Sequence, residues 1–121
     1  MSFTDLLAFK KSFALAMKIF EISKIFPKEE KYSLTDQIRR SSRSVSANIS
    51  EAYRKRLYPK HFVSKLSDSD AENSETLTWL MFALKCGYID KNKYEVLSSE
   101  NLEVGKLINY MINNPSKFGV K

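Results

Sequence analysis

The side chains that carry reaction chemistry most often are scarce in this sequence. His61 is the only histidine and Cys86 the only cysteine among 121 residues. Glu72 and Glu75 are spaced for one face of a helix. Carboxylate metal sites in helical bundles want Glu-x-x-His pairs on facing helices, however, and His61 stands alone among lysines. Cys86 sits where a helix is expected to end, away from the electropositive helix N-terminus that activates a thiol. No Gly-rich phosphate loop is present. The sequence therefore supplies no catalytic, cofactor-binding or metal-ligating set, and a non-enzymatic protein is expected.

What it does supply is sorted charge. The formal net charge is +6. Residues 33–65 hold eight basic and two acidic groups, whereas residues 66–90 hold one basic and five acidic. The basic set is Arg39, Arg40, Arg43, Arg54, Lys55, Arg56, Lys60 and Lys65. Spaced along a helix, these cations suit phosphates, giving affinity for RNA or DNA without reading its sequence. Arg54, Lys55 and Arg56 also lie where cations favour a helix C-terminus with no ligand at all. The acidic set, Asp68, Glu72 and Glu75, is followed on the same face by Trp79 and Phe82. Acids and then aromatics on a second face read as an oligomer interface, with the arginines of a neighbouring copy as their complement. Nucleic-acid binding and pure self-assembly, as an adaptor or scaffold, thus compete for the same arginines.

Both surfaces need helices to carry them. Three Gly and three Pro in the whole chain leave little turn material, which points to an all-α protein. Apolar steps of three and four predict helices over about 4–25, 33–56, 59–86 and 91–113, in one domain spanning 1–121. Short connections make neighbours antiparallel, so an up-down-up-down four-helix bundle is expected. In the first helix the stripe Leu6, Phe9, Phe13, Ala16, Met17 and Phe20 is assigned to the core. Thr4 is its N-cap, Ser33 with Asp36 caps the second helix, and Gly87 ends the third. A buried polar layer is expected from Ser41, Ser42, Asn48, Asp70 and Asn73, setting helix register. The tail from Ser116 to Lys121 should fray. A lone cysteine, no signal-peptide layout and no membrane-length apolar run suggest a cytoplasmic protein without disulfides.

The order Phe26-Pro27, Glu30, Tyr32, Leu34, Gln37, Arg39-Arg40, Ser44, Ala47-Asn48-Ile49 and Glu51 resembles proteins associated with intervening sequences in 23S ribosomal RNA genes. Phe62, Leu66, Glu72, Glu75-Thr76, Trp79-Leu80 and Gly87-Tyr88 resemble a second signature of that family. A more distant similarity is to the accessory proteins of diversity-generating retroelements, which bind nucleic acid and a reverse transcriptase. The resemblance implies a bacterial four-helix bundle that assembles as a ring, typically a pentamer, with a poorly defined role. It also admits a partner protein encoded nearby. The sequence departs from the commoner pattern with Ser41, Ser42 and Ser50 in place of alanines, and with Ala52-Tyr53 where many members have Gly.

Overall fold

A computed structural model describes residues 1–121. Four helices, α1 (Leu7–Ser23), α2 (Leu34–Arg54), α3 (Pro59–Lys85) and α4 (Lys91–Asn113), form an all-α bundle without strands. Each packs on its neighbours in sequence, and α1 closes the bundle against α4. Pro59 stands at the first position of α3, where a missing N–H costs nothing. Gly87 ends α3 with a positive φ of 77°, and the Tyr88 and Gly87 amides return to the carbonyls of Ala83 and Leu84. Asp90 caps α4 by accepting from the Lys93 amide at 2.7 Å.

Three expected termini differ. Ser2, not Thr4, is the first cap, closing a capping box with Asp5 on a short 3-10 turn before α1. Ser33 does not cap α2 with its own side chain. Its hydroxyl donates to Glu30 Oε1 at 2.6 Å, and the same carboxylate oxygen accepts from the Leu34 amide at 3.2 Å. Glu30 does the capping from outside the helix. The tail does not fray: Pro115–Phe118 forms a 3-10 turn that seats Val120 in the core at 5% exposure.

The core is apolar around Ile19, Ile38, Ile49, Phe62, Leu66 and Leu80, all fully enclosed. In α1 the buried face is Ala8, Ser12, Leu15, Ala16, Ile19 and Ser23. Of the expected stripe, Leu6 and Ala16 are buried and Phe9 and Phe20 half-buried, but Phe13 at 53% and Met17 at 48% exposure lie outside the core. The reason is size. Ser12 and Ala16 let α1 approach α2 closely, and the Ser12 and Ser46 hydroxyls share a hydrogen bond of 2.9 Å across that contact. A phenylalanine cannot occupy such a seam.

A polar layer does cross the bundle, with altered membership. Thr76 Oγ1 donates to Ser41 Oγ at 2.8 Å, and Ser69 Oγ donates to the Val45 carbonyl at 2.8 Å. Asn73 and Asn101 exchange amides, each Nδ2 donating to the other's backbone carbonyl at 2.9 Å. Ser42 is buried and bonds back to the Arg39 carbonyl. Asn48 and Asp70 do not belong to the buried layer. Asn48, half-buried on the flank of α2, donates to Ser44 one turn back. Asp70 stands at the α3–α4 edge and accepts from Asn109 at 3.2 Å. Gly105 on α4 lets the helices close over this pair, since a Cβ there would come within 3.3 Å of Asn73 Nδ2.

Candidate binding surfaces

The eight cations separate by what they touch. Lys65 is ion-paired with Glu51 at 3.2 Å. Arg56 is half-buried, its Nε donating to the Tyr53 carbonyl at 2.8 Å and its guanidinium lying 3.6 Å above the Tyr53 ring. Both of these have partners within the chain. Arg39 and Arg43 stand over one ring, Phe20 of α1, at 4.8 and 5.6 Å. Lys24 approaches the same ring at 4.8 Å. Arg39 Nε also donates to buried Ser23 at 2.7 Å, which fixes the guanidinium.

Arg40, Arg54, Lys55 and Lys60 are exposed and make no ion pair within 4 Å. Arg40 and Arg54 share the outer face of α2, about 21 Å apart along the axis. Arg54, Lys55 and Lys60 gather at the α2–α3 turn around Tyr58, which is 57% exposed. Lys55 reaches within 5.9 Å of that ring, and His61 meets it edge-on at 6.0 Å.

On α3, Asp68 is exposed, Glu72 and Glu75 are half-buried, and Trp79 and Phe82 pack with ring centroids 5.9 Å apart. Phe82 is 53% exposed. Burial holds the Glu72 carboxyl above its usual range, Glu75 and Asp68 push the same way, and Arg40 only partly opposes them. The Trp79 indole nitrogen is enclosed without a hydrogen-bond acceptor. A groove of about 380 Å³ beside it runs between Leu34, Gln37, Trp79, Phe82 and Cys86.

Where the α1–α2 loop meets the α3–α4 turn, Glu30 gathers three donors: Ser33, Leu34 and Tyr88, whose hydroxyl donates to Oε2 at 2.8 Å. Those hydrogen bonds hold the Glu30 carboxyl below its ordinary value, and the Tyr88 hydroxyl is pushed up to about 12 by its bond to Glu30. Phe26 packs on Tyr88 at 5.6 Å. Phe26, Glu30 and Tyr88 thus latch two loops together at one end of the bundle.

No group of three or more His, Cys, Asp or Glu side chains gathers as a metal could use. Cys86 and His61 are both exposed and far apart in the chain. No helix is long and apolar enough to cross a membrane. The surface that sequence reasoning misassigned is the outer side of α1 at Phe13 and Met17. A second stripe at helical spacing, Ala8, Ser12, Leu15 and Ile19, carries the alternative phase.

A family model described as 23S rRNA-intervening sequence protein matches residues 4–110. A search of curated proteins finds no match. Among solved structures, the chain is similar to a protein of unknown function from the S23 ribosomal protein family of Bacteroides thetaiotaomicron VPI-5482. The two share 30% identity at a TM-score of 0.80, over 88% of this chain and 96% of that one.

Proposed function

The chain belongs to the 23S rRNA-intervening sequence protein family, and from that premise we propose that it is a binding protein rather than an enzyme, its ligand the phosphate backbone of RNA or DNA. The observation that carries this reading is the set of exposed cations without ion pairs at the α2–α3 turn, Arg54, Lys55 and Lys60 beside Tyr58; Arg40 on the outer face of α2 adds to them but also acts on Glu72. Cations without carboxylate partners keep their whole attraction for phosphate, and an exposed ring among them offers a face to an unpaired base. Arg56 and Lys65 leave the candidate set because Tyr53 and Glu51 already engage them.

Binding of single-stranded and duplex RNA and DNA should be measured between about 50 and 200 mM salt. Substituting Arg54, Lys55 and Lys60 together by Ala should lower affinity for all sequences and flatten the dependence of log K on log salt by about 2 to 3. Replacing Tyr58 by Ala should weaken single strands and spare duplexes. Absence of binding at the lowest salt would leave the rival reading, an adaptor or scaffold whose partners are proteins.

A further inference from the structure

The groove beside Trp79 combines aromatic rings with a free polar group. It measures about 380 Å³ and is walled by Leu34 of α2, by Trp79 and Phe82 of α3, and by Tyr32 just before α2. Small-ligand clefts are typically about 300–1,000 Å³. Trp79 and Phe82 lie against each other with ring centroids 5.9 Å apart. Tyr32 is 84% exposed, a large ring with little cover from its own chain.

The polar groups of this groove are unevenly engaged. Glu30 and Ser33 are bonded to each other at 2.6 Å, and Glu30 also holds the Leu34 amide and the Tyr88 hydroxyl. The exposed Gln37 carboxamide has no partner within the chain. Rings offer faces for stacking, and a carboxamide offers one donor and one acceptor side by side. An aliphatic ligand would cover the rings and leave the amide unread. Adenine has both matching parts, a flat face and an edge whose acceptor and donor a Gln side chain pairs with bidentately. Cations stand where the neighbouring phosphates would lie. Arg40 is one turn beyond Gln37 on α2, and Lys31 comes within 5.3 Å of the Tyr32 ring. Both are exposed and make no ion pair.

We infer that this groove takes an unpaired adenine of a single strand, stacked against the aromatic wall and read at its edge by Gln37, with Arg40 and Lys31 on the adjoining phosphates. The inference rests on the phosphate-binding reading and deepens it, from affinity for any backbone to a preference for one base. Gln37 and Arg54 lie about 25 Å apart along the α2 axis. A strand of about twelve nucleotides is long enough to meet both the groove and the turn cations.

The test compares oligoadenylate and oligouridylate of about twelve nucleotides for binding to the full chain at about 50 mM salt. Oligoadenylate should bind about tenfold tighter, the scale of one bidentate base contact. It should also slow alkylation of Cys86, the lone thiol, which is exposed and lines the groove. Gln37→Ala changes an exposed side chain, so circular dichroism should be unchanged. The variant should lose the adenine preference and most of the Cys86 protection, yet keep the wild-type salt slope, because Gln37 meets no phosphate. Tyr32→Ala should weaken oligoadenylate by several-fold through lost stacking, again at constant slope. Equal affinity for the two strands, or a full adenine preference in Gln37→Ala, overturns the groove and leaves phosphate binding standing. Failure of both strands to bind overturns the two readings together. Adenosine monophosphate that protects Cys86 as well as the strand does, at equal concentration, would assign the groove to a free nucleotide and overturn its assignment to a strand.

Discussion

Asn73 and Asn101 show what a buried polar residue does in this protein. Each satisfies the other's amide and carbonyl between α3 and α4, so removing one strands its partner away from water. Asn101→Leu should destabilise by roughly 1–3 kcal/mol, the usual cost of an unpaired buried group, and so should Asn73→Leu. The double variant should recover much of the loss, and a denaturant double-mutant cycle reads the coupling. At the bundle's end, the Glu30 carboxyl lies below its ordinary value of 4.5. A depressed folded-state value contributes stability that is complete above the unfolded value and lost as pH falls through the folded one. Tyr88→Phe removes one of the three donors, so the loss of stability as pH falls below the ordinary value of 4.5 should be shallower than in wild type. Urea midpoints across that range check it, and an unchanged slope would remove Tyr88 from the account. Asn73 was legible in the sequence as buried polar material. Its partner was not, since Asn101 lies a whole helix away and nothing in local spacing points to it.

Elements were legible where caps and breakers are chemically specific. Pro59, Gly87 and Asp90 mark ends that no side-chain packing can move. α1 was misread because its sequence is apolar on two faces, and spacing alone does not rank one stripe above another. Side-chain volume does rank them, since the seam with α2 admits Ser12 and Ala16 and excludes Phe13. Ile19→Ala should therefore cost about 2–5 kcal/mol, whereas Phe13→Ser and Met17→Ser should change protomer stability by no more than about 0.5 kcal/mol. Thermal or urea unfolding measures both. The reverse order would restore the stripe expected from spacing. The tail was misjudged for a similar reason. Val120 contributes one buried side chain whose burial depends on the turn at Pro115–Phe118, and Val120→Ala should cost about 1.5 kcal/mol.

For the whole molecule, the charge sorting visible in the sequence divides into two surfaces with different physics. The turn cations are exposed and make no ion pair, so anything they bind through charge should be released by salt. Arg39 and Arg43 are seated on an aromatic ring beside exposed apolar side chains, where contact area contributes alongside charge. Raising salt from about 0.1 to 1 M, which shortens the screening length from about 10 to 3 Å, should strip nucleic acid from the protein. Binding that survives the change would mean that contacts other than charge carry it. Sequence composition located the arginines but not this division, because which of them face carboxylates, rings or open solvent depends on how α1 and α3 flank α2.

The enclosed indole nitrogen of Trp79 has a practical consequence as well. It is the only tryptophan in the chain, and it lies on α3 beside Phe82. All indole emission from this protein consequently comes from one place. Anything that covers this side of α3 dries that place further, so the emission should move to shorter wavelength when the face is covered. The protein carries its own optical gauge of whether its α3 face is occupied.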